Sequence, residues 1–107
     1  MPIRSTADFD RWLRNLKDQR GRAKVLNRID RLALGNPGDV GPVGEGVSEM
    51  RIDFGPGYRV YFLQQGKDSV LLLGGDKSSQ TRDIERAKQL AREVRNENKT
   101  IRRRGSS

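Results

Sequence analysis

The sequence predicts an α+β domain in which two N-terminal helices pack on a twisted antiparallel sheet and a C-terminal helix closes the fold. Three observations carry this expectation. Apolar residues recur at helical spacing over the first third of the chain and again after residue 80. Residues 47–63 alternate in polarity on both sides of Gly55-Pro56-Gly57, as a hairpin does. The 107 residues show no internal repeat, and 33% of them are hydrophobic, which is material for one modest core and one domain.

Residues 1–5 suit a short edge strand. Ser5 or Thr6 caps the first helix, with Asp8 at capping-box spacing from Ser5. Phe9, Trp12, Leu13 and Leu16 then form one apolar stripe. Gly21 breaks or bends this helix. Ala23, Leu26, Ile29 and Ala33 continue the pattern, widened by Val25 and Leu32, as far as Gly35-Asn36-Pro37-Gly38. The short join predicts an antiparallel helical hairpin. Residues 35–46 hold five glycines and two prolines and read as an irregular connection.

Three strands follow, over Val47–Phe54, Tyr58–Leu63 and Val70–Leu73, the last two joined around Gln64–Ser69. Thr81 or Ser79 caps a third helix, with Ile84, Ala87, Leu90, Ala91 and Val94 as its stripe. The helices are expected together on one side of the sheet. The domain spans 1–97, and 98–107 (NKTIRRRGSS) reads as a disordered basic tail.

Composition excludes several chemistries. The chain has no cysteine and no histidine, so thiolate nucleophiles and serine–histidine pairs are ruled out, and no metal or other cofactor is expected. No 18-residue apolar run occurs, and MPIRSTADF lacks the apolar centre of a signal peptide, so the expectation is a cytoplasmic protein without membrane attachment. Twenty-two basic residues against 14 acidic ones give a net charge of +8, a field that favours polyanions. Much of it is local: Arg11 to Arg31 carries net +6 and Arg95 to Arg104 net +4. Within the first cluster Arg20, Arg22, Lys24 and Arg28 are candidate RNA-binding residues, against the simpler reading of a solvated helix face.

A three-residue turn at Gly55-Pro56-Gly57 sets Phe54 opposite Tyr58, Ile52 opposite Val60 and Met50 opposite Phe62, an apolar face. The other face then receives Asp53 opposite Arg59, Arg51 opposite Tyr61, and Glu49 opposite Leu63. One side of the hairpin is thus apolar and the other charged, with Asp76 and Lys77 of GGDKSSQ at the rim of the charged one.

With FDRWL before them, the stretches GNPGDVGPVGEGVSEMRIDFGPGYRVYF and GGDKSSQTRDIERAKQLA resemble the RelE/ParE toxins of bacterial type II toxin–antitoxin systems, and in particular the HigB-like addiction module killer proteins. The likeness covers about residues 5–95. It implies a toxin silenced by a helix-turn-helix antitoxin, with operator DNA contacted only through that partner. It also implies messenger RNA cleavage on the ribosome, with Arg51, Arg59 and Lys77 at the positions of the catalytic basic residues. The tyrosine or histidine that some relatives carry near the start of the last helix is missing here. The alternative within the same superfamily is a non-enzymatic toxin that binds DNA gyrase.

Cleavage of RNA by its own 2′-hydroxyl needs a base, an acid and cations for the phosphorane. Arginine stays protonated, so Arg51 and Arg59 suit phosphate positioning, while Lys77 suits an acid, or a base if its pKa fell. Asp76, Asp53 and Glu49 are alternative bases. Tyr61, on the charged face, is placed to stack on a base or to pack, and Tyr58 belongs to the core.

Overall fold

A computed structural model describes residues 2–106, with side chains described as far as Glu97. The expected disordered basic tail over 98–107 lies outside the residues so described. The order is β1 (Ile3–Ser5), α1 (Ala7–Asn15), α2 (Gln19–Ala33), β2 (Val40–Gly44), β3 (Val47–Ile52), β4 (Tyr58–Gln65), β5 (Asp68–Gly75), a 3₁₀ turn (Lys77–Ser79) and α3 (Gln80–Ser106). The fold class is α+β as expected, in five strands ordered β1-β5-β4-β3-β2.

The sheet is mixed, because the edge strand β1 runs parallel to β5. Thr6 makes the junction between strand and helix. Its amide donates to the Leu71 carbonyl and its hydroxyl to the Leu72 carbonyl, while the same oxygen accepts from the Phe9 amide and caps α1. The break between α1 and α2 falls at Leu16–Asp18 and not at Gly21. Asp18 caps α2 through the Gly21 amide at 3.0 Å and also accepts from the Tyr58 hydroxyl at 2.8 Å. Gly21 sits in the first turn because a β-carbon there would lie 2.4 Å from the Tyr58 ring. α1 packs mainly on β5, and α2 on β3 and β4.

Residues 35–46 contain a strand where an irregular connection is expected. β2 pairs with β3 from Val40↔Met50 to Gly44↔Val47, with a bulge between Pro42 and Gly44. Pro42 is tolerated there because β2 is the sheet's other edge.

The helices occupy both faces of the sheet, not one. Phe9, Val25, Leu32, Met50, Ile52, Tyr58, Val60, Phe62 and Leu71 form a core under α1 and α2. Val47, Tyr61, Leu63, Val70 and Leu72 form a second core with Ala87, Leu90 and Ala91 of α3. The stripe on α2 is shifted from its expected place: Val25 and Leu32 are buried, whereas Ala23 is exposed and Leu26 is 41% exposed.

Candidate functional site

The hairpin register keeps the expected faces and changes every pair. Ile52 is opposite Tyr58, Met50 opposite Val60, Arg51 opposite Arg59 and Glu49 opposite Tyr61. The connection is Asp53–Gly57, two residues longer than a three-residue turn, with Gly55 and Gly57 at positive φ and the Gly57 amide donating to the Phe54 carbonyl. A slip of two preserves side-chain parity, so each residue keeps its face, but the face expected to be charged is packed beneath α3 through Val47, Tyr61 and Leu63 and carries charge only at Glu49, Arg51 and Arg59. Asp53 falls outside the strand and is not the partner of Arg59.

Glu49, Arg51, Arg59 and Tyr61 thus form a square on the α3 side of the sheet. Two arginines directly opposite one another repel, and Glu49 offsets this. Its Oε1 accepts from Arg51 Nε at 3.1 Å and stands 4.0 Å from Arg59 Nε, while Oε2 accepts from Gln80 Nε2 at 2.7 Å. Glu49 is 2% exposed. Arg51 also donates from Nη1 to Asp39 Oδ1 at 2.8 Å, which together with Glu49 holds its pKa above the usual guanidinium value. The Arg51 side chain is 38% exposed and that of Arg59 13%.

Glycines flank the square: Gly41 is opposite Glu49 and Gly75 opposite Arg59. A β-carbon at Gly75 would meet the Asp83 carboxylate, and one at Gly41 would lie 2.6 Å from Arg51 Nη2. Lys77 is exposed and stands near the hairpin connection: its amide donates to the Pro56 carbonyl, and its Cβ and Arg59 Nη1 lie 3.4 and 3.8 Å from the point a Gly57 β-carbon would occupy. The structure therefore brings Arg51, Arg59 and Lys77 to one end of the sheet.

The other sequence candidates fare differently. Tyr61 is wholly buried beneath α3, so its ring is not presented for stacking; of its two possible roles, packing matches its position. Its hydroxyl is buried next to Glu49, and burial, with the Glu49 and Asp83 charges, pushes its pKa far up. Asp76 caps the 3₁₀ turn, and the Ser78 hydroxyl and amide hold its carboxyl below the usual range, so it is engaged as a cap and not free at the rim. Ser79 completes that capping box, its Oγ accepting from the Asp76 amide just before α3, while Thr81 lies inside the helix.

Arg28 is half-buried and engaged structurally: Nη1 donates to the Arg51 carbonyl at 2.6 Å, and Nη2 to the Pro37 carbonyl at 2.7 Å and the Asp39 carbonyl at 3.3 Å. Arg20, Arg22 and Lys24 are exposed on α2, on the opposite side of the sheet from the square. Sequence reasoning missed Gln80 and Asp39 as partners of the square, and it listed Glu49 only as a base.

Away from the square, a cleft of about 490 Å³ lies between Ser5–Asp8, Val70 and the α3 residues Leu90, Glu93, Val94 and Glu97. Its carboxylates (Asp8, Glu93, Glu97) make it a poor seat for a phosphate. Among the described residues no helix is long and apolar enough to cross a membrane.

Residues 11–96 match the family model of the phage derived protein Gp49-like (DUF891) family. The chain belongs to the Gp49-like family. This Gp49-like chain is also 52% identical over 93 residues to an uncharacterized protein of Haemophilus influenzae, covering 86% of this chain and 94% of that one. The matched span includes every residue of the square together with Lys77 and Gln80.

Proposed function

We propose that this Gp49-like protein is the toxin of a toxin–antitoxin pair, an endoribonuclease that cuts messenger RNA on the ribosome and is silenced by a helix-turn-helix antitoxin. The family membership and the likeness to HigB-like toxins support the class. One observation carries the chemistry: Arg51 and Arg59 stand directly opposite on one face, both with Nε toward Glu49, and the Lys77 Cβ and Arg59 Nη1 both lie close to Gly57. Forked donors of this kind match phosphate oxygens, and an ammonium reaching in from the same end of the sheet suits the charge that builds on the phosphorane and leaving oxygen.

The square offers cations more readily than a free base. Asp76 is tied into its cap, the Tyr61 hydroxyl is buried, and both oxygens of Glu49 face donors. Such a site suits a substrate already aligned, and alignment by the ribosome is worth about 7–11 kcal/mol of barrier at its best.

Induction of the protein in cells followed by mapping of messenger RNA ends tests the proposal. Cleavage is expected in wild type and reduced about 10²- to 10³-fold by Arg59→Ala or Lys77→Ala. Cleavage untouched by both variants would move the site elsewhere. Intact messenger RNA together with inhibited DNA supercoiling by gyrase would replace the nuclease with the gyrase-binding alternative.

A further inference from the structure

We infer that Glu49 is a positioning residue, gripping Arg51 and Arg59 by their Nε edges so that their outer nitrogens are left to the RNA backbone; this rests on the ribonuclease reading above. A buried carboxylate costs several kcal/mol in lost hydration and persists only where donors surround it. Glu49 meets that condition with Arg51 Nε at 3.1 Å and Gln80 Nε2 at 2.7 Å, and with Arg59 Nε at 4.0 Å. Both guanidinium groups turn the same edge inward.

The outer nitrogens are disposed differently. Arg51 Nη1 reaches Asp39, and its Nη2 lies over Gly41, where a side chain would collide with it. Arg59 Nη1 lies near Gly57, on the side where Lys77 stands. Arg59 Nε is buried without a hydrogen bond. A shift of about an ångström would bring its 4.0 Å approach to Glu49 to bonding distance, with the outer nitrogens still turned away from Glu49. Glu49 does not act as the base here, because it is 2% exposed and the substrate hydroxyl has no approach to it.

Electrostatics and positioning predict opposite signs for one substitution. Glu49→Gln removes a negative charge beside two arginines, so charge alone would tighten RNA binding. Loss of positioning weakens it. With a short 2′-O-methyl RNA, which lacks the reacting hydroxyl, fluorescence anisotropy is expected to show about tenfold weaker binding by Glu49→Gln than by wild type. The Arg51 Nε–H signal, assigned in ¹⁵N spectra, is expected to be protected from exchange in wild type, joined by that of Arg59 when RNA is bound, and both are expected to lose that protection in the variant.

Unchanged or tighter RNA binding by a folded Glu49→Gln protein, or an unprotected Arg51 Nε–H signal in wild type, overturns the inference and leaves the ribonuclease reading standing. A wild type that fails to bind the RNA at all overturns the inference, and absence of cleavage by wild type in the mapping of messenger RNA ends overturns the ribonuclease reading together with it. Should Glu49→Gln fail to fold, Arg59→Lys carries the test. It keeps the charge and lacks the Nε edge, so binding is expected to fall comparably, and wild-type affinity in it would refute the clamp.

Discussion

At the scale of single residues, Arg28 shows how a side chain marked by charge turns out to matter by geometry. Its guanidinium joins α2 to the carbonyls of Pro37, Asp39 and Arg51, and burial lowers its pKa from the usual value. Arg28→Ala leaves those carbonyls without this donor, and a loss of about 2–3 kcal/mol is expected, read as a lower urea midpoint at unchanged slope. Arg28→Lys should recover little of it, since one ammonium cannot fork to the same set. Asp39, which holds Arg51 from the far side, lies in the loop that Arg28 ties down, so the variant should also weaken RNA cleavage. Arg51, Arg59 and Lys77 were legible from the sequence through the likeness of their motifs. Arg28 was not distinguishable from Arg20, Arg22 and Lys24, because its role depends on a loop brought back from residues 37–39. Gly74 and Gly75 carried a signal that went unread: each marks a close approach, of Trp12 on one face and Asp83 on the other.

At the scale of elements, one hydrogen bond ties the start of α2 to β4 and gives stability a slope at both ends of the pH range. The Tyr58 hydroxyl donates to Asp18. The Gly21 amide first, and then Tyr58, hold the Asp18 carboxyl below its ordinary value. Asp18 therefore adds stability above the unfolded carboxylate pKa of about 3.9, and that stability is lost as pH falls through the folded value. Burial, with Asp18 second, pushes Tyr58 up to about 12. An unfolded tyrosine ionises near 10 while the folded one resists, so unfolding releases a proton and stability falls as pH rises from about 10 toward 12. Tyr58→Phe is expected to flatten the alkaline limb and soften the acid one, measured as midpoint against pH; an alkaline limb of unchanged steepness would assign it to other groups. The strands themselves were legible because alternation survives a slip of two. The pairs were not, because parity does not distinguish a turn of three residues from a connection of five. β2 was hidden by its glycines and Pro42, which a sheet edge accepts and a sequence pattern counts against a strand.

At the scale of the whole molecule, the proposed function asks which of two basic faces RNA would meet. The α3 stripe was legible, but its side of the sheet was not: Val47, Tyr61, Leu63 and Leu72 alternate with residues of the other core, and alternation alone says only that there are two faces. With α3 on the second face, the candidate cations divide. Arg20, Arg22 and Lys24 lie on α2, and Arg51, Arg59 and Lys77 lie at the end of the sheet near the start of α3. Single-stranded RNA releases counterions in proportion to the phosphates neutralised, with a logarithmic slope of about −0.7 per contact. Three contacts at the square correspond to a slope of about −2, and Arg59→Ala should reduce its magnitude by about 0.7. Neutralising Arg20, Arg22 and Lys24 together lowers the net charge by three and so weakens long-range attraction, yet it should leave the slope nearly unchanged, because those groups touch no phosphate in this arrangement. Anisotropy titrations of a short 2′-O-methyl RNA across a range of salt concentrations measure both. If the α2 variant flattened the salt dependence more than Arg59→Ala did, the nucleic acid would lie along the helices, and the square would be a structural ion cluster and not a phosphate grip.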